Sequence, residues 1–286
     1  MRTGFISKVN AGLYDVFDGK DFYHCRARGL FRIGEYTPFV GDYVDFDETE
    51  NYLMAIKPRK NFIGRPPIAN IDQVIIIASI TNPVIPPLLI NRFVVLSEIA
   101  KIKPIIVFSK ADLVNEEDYM SEVEQYRQMG YIAIPYSCKT LQGLEEIKSL
   151  LAGKKTVFTG QSGVGKSKLI NLLIPGLLHE TQEISKGLGR GKHTTRIVEY
   201  LRYEDAWIAD TPGFSSIELD LKPIDLAALF PGFENYYSKC KFRNCLHESE
   251  SDCAIKDAVA KGEISEKQYE TYLNILNELK TKKERY

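Results

Sequence analysis

The chain has 286 residues, 44% hydrophobic and 26% charged, an ordinary globular composition that excludes disorder throughout. One core usually serves roughly 100 to 200 residues, so this length implies two or three domains. With 37 basic and 38 acidic residues the net charge is -1, which excludes a whole-molecule cationic field; any nucleic-acid surface has to be local.

Residues 1 to about 62 read as five short strands separated by turn residues: Gly4 to Val9, Leu13 to Phe17, Asp21 to Arg26, Asp42 to Phe46 and Tyr52 to Lys57. That pattern, with no evident helix, predicts a small OB-like β-barrel; a fragment of a two-sheet sandwich is the alternative. From Ile71 the pattern changes. Val74 to Ala78 and Ile105 to Phe108 are apolar, mostly β-branched runs of the kind found in strands covered on both faces of a parallel sheet. Between and after them come helical patterns at Ile90 to Ala100, Asp118 to Met129, Leu144 to Leu151 and Lys166 to Leu173. Further strands are expected at Tyr131 to Ile134, Thr156 to Thr159 and Ala206 to Ala209, which completes an α/β domain. After about Leu221 the strands stop, and an amphipathic helix from Ser265 to Lys282 closes the chain, with Tyr269, Leu273, Leu276 and Leu279 on one side. The expected domains are a barrel over 1–62, an α/β domain over 63–220 and a mainly helical domain over 221–286.

Gly160-Gln161-Ser162-Gly163-Val164-Gly165-Lys166-Ser167 fits the phosphate-loop pattern GxxxxGK[ST] and sits between a strand and a helix start, as its chemistry requires. Glycines let backbone amides turn toward a phosphate chain, Lys166 reaches the outer phosphates, and Ser167 offers a hydroxyl to Mg2+. Ala206 to Gly213 supplies a strand ending in DxxG, in which Asp210 can hold Mg2+ through water and the Gly213 amide can sense the terminal phosphate. Ser109-Lys110-Ala111-Asp112 resembles the NKxD guanine motif, whose carboxylate accepts the N1 and N2 hydrogens of the base. Ser137-Cys138, followed by Lys139, resembles the loop whose backbone amide meets the base oxygen. Together these motifs point to GTP; an ATP-dependent kinase is disfavoured by Asp112 and by DxxG. The glycine-rich basic stretch Ile184 to Val198 reads as a first switch loop. Thr195 is the expected Mg2+ ligand there, with Thr194 second, and His193 is a candidate to orient the attacking water.

Two positions depart from the general pattern. Ser109 replaces the Asn whose amide braces the phosphate loop and touches the base, so base affinity is expected to be modest. Phe214 follows DxxG where Ras-like enzymes carry the water-orienting Gln, so intrinsic hydrolysis is expected to be slow. That missing Gln also keeps open a non-enzymatic alternative, a GTP-regulated RNA-binding adaptor.

Cys240, Cys245, His247 and Cys253 give CxxxxCxHxxxxxC, three thiolates and one imidazole, which suits a closed structural Zn2+ site. Residues 232 to 262 carry few large apolar side chains, so the metal is expected to stand in for a core there. Lys239, Lys241 and Arg243 interleave with Phe242 among the ligands, so the metal would fix a basic knob in space. The N-terminal residues show no charged-then-apolar leader and no apolar run approaches a membrane span, so a cytoplasmic protein without a membrane partner is expected.

The order of the motifs is distinctive. Guanine-reading Ser109 to Asp112 and Ser137-Cys138 precede the phosphate loop, whereas ordinary GTPases place that loop first; the G domain is circularly permuted. With a barrel before it and a Cys/His cluster behind it, the whole chain resembles the small-ribosomal-subunit-dependent GTPase family RsgA, also called YjeQ. The resemblance implies GTP and GDP binding with Mg2+, one zinc held by the same four residues, and hydrolysis stimulated by the ribosome. It also implies a monomer that grips the small subunit and its rRNA through the barrel and the zinc domain. The chain leaving DxxG at Phe214-Ser215-Ser216 runs toward the third domain, a route by which nucleotide state is expected to re-aim the knob.

Overall fold

The computed structural model describes residues 1–32, 37–64, 66–176, 198–210, 219 and 221–283. Strands β1 (Arg2–Asn10), β2 (Leu13–Phe17), β3 (Phe22–Ala27), β4 (Tyr43–Asp47) and β5 (Tyr52–Ile56) close into a barrel in the order β1-β2-β3-β5-β4. Two-residue alternation fills it: Tyr14 and Val16 point inward with Ile6, Cys25, Val44, Phe46 and Leu53, while Leu13 and Asp15 face out. The barrel expectation holds and the sandwich does not. A short hairpin, β6 (Phe62–Gly64) with β7 (Pro67–Ala69), follows the barrel and escapes sequence reading because it is so brief. The chain passes Gly41 so closely to this hairpin that a Cβ there would lie 2.0 Å from the Ala69 carbonyl oxygen, and Gly41 has φ +90°; only glycine fits.

The α/β domain is a six-stranded sheet in the order β10-β9-β8-β11-β13-β12. Its strands are β8 (Gln73–Ser79), β9 (Lys103–Ser109), β10 (Ile132–Tyr136), β11 (Lys155–Thr159), β12 (Tyr200–Tyr203) and β13 (Ala206–Asp210). All are parallel except β12, which lies antiparallel on the β13 edge. Every residue of β8 is buried, as expected of a strand with helices on both faces. Helices α1 (Pro87–Ile99), α2 (Met120–Gln128), α3 (Leu144–Leu151) and α4 (Lys166–Leu173) connect the strands. Pro87 opens α1 at the position where a missing N–H costs nothing, and α3 buries Leu144, Ile147 and Leu151 on one face. Strand β12 was not expected. Its sequence Tyr-Leu-Arg-Tyr is only four residues long, and its edge position leaves Arg202 exposed.

Barrel and sheet meet through an aromatic cluster. The Phe5 ring lies 4.7 Å from Trp207 in an edge contact, 6.0 Å from Phe17 and 6.1 Å from Tyr200. The Lys155 ammonium sits 4.0 Å from the Tyr43 ring and 4.5 Å from Phe5, and bonds the Tyr43 hydroxyl. Beside them Lys8 of β1 bridges to Glu199, just ahead of β12, through backbone pairing and a 2.5 Å ion pair.

The last part of the chain holds α5 (Pro223–Leu229), α6 (Ala254–Ala260) and α7 (Glu266–Lys283). The buried stripe of α7 runs through Gln268, Tyr272, Ile275, Leu276 and Leu279, whereas Tyr269 and Leu273 are only partly buried; the expected stripe is rotated. A buried polar chain causes this. Tyr126 donates to Asn91 at 3.0 Å, Asn91 donates to Gln268 at 2.8 Å, and Gln268 donates to the Pro231 carbonyl at 3.0 Å. Gln268 therefore occupies the interface that an apolar residue would otherwise take. No described helix is long and apolar enough to cross a membrane.

Gln268→Leu should leave the Asn91 donor and the Pro231 carbonyl buried without partners and cost about 1–3 kcal/mol for each. A lower denaturant midpoint, followed by tyrosine fluorescence and circular dichroism, checks this.

Candidate nucleotide site and metal centre

Four loops that leave the ends of parallel strands converge on one edge of the sheet, the general location of ligand sites in such folds. After β11 the backbone turns through Gly160, Gly163 and Gly165, with φ of 149°, 82° and 98°, into the start of α4. A Cβ on Gly160 would lie 2.5 Å from the Ile77 carbonyl oxygen, so the tight exit from β11 against β8 demands glycine. Gln161 and Ser162 continue the loop. Val164 is buried beneath it, Ser167 is exposed on α4, and the Lys166 ammonium lies 3.0 Å from Asp210 Oδ1 at the end of β13.

The guanine-motif residues come from the neighbouring strands. Ser109 ends β9, Lys110 follows in a left-handed conformation with φ 66°, and Ala111 is buried beneath Asp112. Ser137, past the end of β10, donates its hydroxyl to Asp112 Oδ1 at 2.6 Å and accepts the Lys139 and Thr140 amides at 3.1 Å each. One side chain thus orients both the carboxylate and the loop that carries the Cys138 amide. Ser109 lacks the amide that Asn brings to this place, yet its hydroxyl donates to the Val164 carbonyl at 2.6 Å. The brace between this strand end and the phosphate loop is kept in a shorter form.

Sequence reading missed one participant. The Lys110 ammonium bonds the Asn82 carbonyl in the β8–α1 loop, and Pro83 of that loop stands 3.6 Å from where a Gly163 Cβ would be. Its signal was the Asn82-Pro83 pair, which reads only as a loop until the topology puts β8 beside β11. His193, Thr194, Thr195 and Gly213, with Phe214, lie outside the described residues, so the site as described comprises the Ser109–Asp112 and Ser137–Cys138 loops, the phosphate-loop sequence and Asp210.

At the other end of the molecule the donor atoms of Cys240, Cys245, His247 and Cys253 all lie within 4.8 Å of one another. His247 Nδ1 is 3.5 Å from Cys240 Sγ and 3.3 Å from Cys253 Sγ, and the two sulfurs are 4.0 Å apart. A tetrahedral zinc site with metal–sulfur bonds of about 2.3 Å has sulfur–sulfur edges of about 3.8 Å, so the residues fit that ion. Burial pushes the Cys245 thiol up to about 12 and holds the His247 imidazole below its ordinary value, conditions under which a cation at the centre is the natural counter-charge for thiolates. The expectation of an almost coreless segment needs correction. The rings of Phe233, Tyr237 and Tyr272 surround His247 at 5.6 to 6.0 Å, and the Tyr269 hydroxyl of α7 donates to the His247 carbonyl at 2.6 Å. Tyr272 donates in the same way to Leu246 at 2.5 Å. Phe233 and Tyr237 lie within residues 232 to 262 themselves, whereas Tyr269 and Tyr272 come from α7, beyond that range.

A third feature lies on the barrel. Leu13, Arg26 and Tyr52 are register neighbours across β2, β3 and β5, and with Arg28 and Glu50 they line an open cleft of about 850 Å³.

The fold and the site together define a circularly permuted P-loop GTPase carrying a barrel and a Cys3His metal centre. The RsgA GTPase model matches residues 56–220, and the RsgA N-terminal domain model matches residues 3–55. The chain is 47% identical, over all of both chains, to a protein of Oceanobacillus iheyensis named small ribosomal subunit biogenesis GTPase RsgA 2. It is 43% identical, again over all of both, to the RsgA of Bacillus subtilis. Among solved structures it matches YloQ, described as a circularly permuted GTPase, with a TM-score of 0.83 and 39% identity over 100% of this chain and 97% of that one. YjeQ from Thermotoga maritima matches with the same TM-score at 32% identity, over 97% of this chain and 98% of that one. The chain belongs to the RsgA GTPase family.

Ser109→Ala should remove the brace on Val164 and weaken guanine-nucleotide binding about tenfold, the equivalent of one lost net hydrogen bond. Titration with a fluorescent GDP analogue checks it, and the fold by circular dichroism should be unchanged.

Proposed function

We propose that this GTPase docks on the small ribosomal subunit late in its maturation, contacts rRNA, hydrolyses GTP to GDP and phosphate faster there than alone, and then leaves. The observation that carries this reading is the joined base and phosphate site, Asp112 held by Ser137 and Val164 held by Ser109, in a chain whose relatives are named for small-subunit biogenesis. In it Asp112 reads the guanine N1 and N2 hydrogens, and the Ser137-Cys138 backbone meets the base oxygen. Amides of Gly160 to Gly165 cradle the phosphates. Lys166, paired with Asp210 when no phosphate faces it, turns to the outer phosphates. Ser167, Thr195 and Asp210 would hold Mg2+, which when bound neutralises charge on the terminal phosphates. Gly213 senses the last phosphate, and His193 orients water in place of the missing Gln. The domains divide at 1–62, 63–220 and 221–286, and the protein works in the cytoplasm as a monomer.

Two cationic surfaces serve as grips on RNA in this reading, the barrel cleft with Arg26 and Arg28, and the knob with Lys239, Lys241 and Arg243. One structural Zn2+ holds the knob. Cys245→Ala should release it, expose residues 240–253 to protease and weaken subunit binding, while GTP binding survives; elemental analysis with limited proteolysis reads this.

The reading is tested by co-sedimentation and turnover with purified small subunits, using GDP and a non-hydrolysable GTP analogue. Asp112→Asn should lose subunit-stimulated GTP turnover and recover it with xanthosine triphosphate, whose second carbonyl suits an amide donor. Equal turnover with and without subunits would overturn the proposal.

A further inference from the structure

Phe242 stands among the metal ligands with 45% of its surface exposed. The fold has room for aromatic rings close by: Phe233, Tyr237 and Tyr272 pack around His247. Phe242 is left outside that cluster, in a loop held at both ends by Cys240 and Cys245, and its carbonyl accepts the Cys245 amide at 3.2 Å in a tight turn. A backbone turn so held loses little further freedom on meeting a partner.

The charges around it are sorted. Lys239 to Asn244 carries three cations and no acid. The acids that follow are committed elsewhere: Glu248 pairs with Lys280 of α7 at 2.5 Å, and Glu250 accepts the Leu246 and Glu248 amides at 2.8 and 3.0 Å. Among the described residues, Asp252 meets this face, paired with Lys241 at 2.7 Å, and Glu263 bonds the Tyr236 side chain beside Lys239. Lys241 lies 5.8 Å from the centre of the Phe242 ring, and Lys239 lies 5.4 Å from that of Tyr236. A half-exposed ring with Lys241 over one side, on a segment that also carries exposed Lys239 and Arg243, matches a nucleic-acid strand whose bases are unpaired: the base stacks on the ring while its phosphates meet Lys239 and Arg243. A duplex offers no open base face to such a ring, and an apolar protein partner would leave the cations without counter-charges.

We propose that Phe242 is a base-stacking residue that gives the metal knob its preference for unpaired RNA over duplex. This rests on the reading of the knob as an RNA grip and adds the form of RNA it takes.

The test uses the full-length metal-loaded protein with a short single-stranded uridine-rich RNA and a fully paired hairpin. Phe242→Ala should weaken single-strand binding about tenfold, leave hairpin binding and metal content unchanged, and keep the same salt dependence, because no phosphate contact is lost. Phe242→Trp should restore the affinity, with its indole emission quenched by the RNA. Arg243→Ala should instead weaken both RNAs and flatten the salt dependence by about one charge. Wild-type affinity in Phe242→Ala, equal losses on strand and hairpin, or no strand binding by the unaltered protein would each overturn the proposal. If Phe242→Ala binds single-stranded RNA and small subunits normally while Arg243→Ala binds neither, the knob grips by charge alone; the stacking role then falls and the ribosomal reading stands. If the unaltered protein ignores small subunits, that reading falls, and the oligonucleotide result decides the stacking role by itself.

Discussion

Everything the protein brings together depends on the pairing of β8 with β9 on one side and β11 on the other. β8 is buried along its whole length, and its two neighbours carry the guanine motif and the phosphate loop at the same end of the sheet. Because β11 follows β10 in the chain but two strands lie between them in the sheet, the chain has to cross over β8 and β9 to deliver the loop. Circular permutation is then a matter of which connection is cut, while the sheet order and the position of the site are unaffected. The Ser109–Val164 bond spans β8 and closes the site across this seam.

Much of the site was legible because its chemistry is written in short local strings. Gly160 to Ser167 needs glycines at fixed places, and the structure shows why at Gly160, where the Ile77 carbonyl leaves no space for a side chain. The metal ligands were legible for a similar reason, since three Cys and one His within one loop leave few other readings. Features that depend on distant partners were not legible. The hydroxyl of Ser109 looked like a loss until Val164 was placed beside it. Tyr269 reads as part of an amphipathic stripe and Tyr272 carries no signal of its own, yet the hydroxyls of both hold carbonyls of the Cys/His loop. The short edge strand β12 was missed because so few residues pair, and only against β13.

The two flanking domains attach to the G domain by different physics. The barrel meets it through aromatic rings and a lysine sandwiched between them, a contact that includes Glu199 and Tyr200 at the return of the chain from residues 177–197. The C-terminal helix attaches through buried amides and a tyrosine hydroxyl, directional bonds that fix its register on α1. A nucleotide signal that re-aims the knob has to contend with this fixed seat.

The seat of α7 on α1 also sets an order of events during synthesis. The Asn91 side-chain carbonyl oxygen can accept from Tyr126 early, but its amide N–H acquires an acceptor only when Gln268 has been made, a separation of 177 positions, so the face of α1 that α7 covers waits for nearly the whole chain. The barrel and the parallel sheet have all their strands by Asp210 and can assemble as the chain emerges, N-terminal parts first. Until α7 arrives, the nascent G domain presents a polar amide within an apolar surface, which makes its premature self-association less favourable than that of a fully greasy face. The same amide that specifies register in the finished molecule therefore tempers the hazard of the unfinished one.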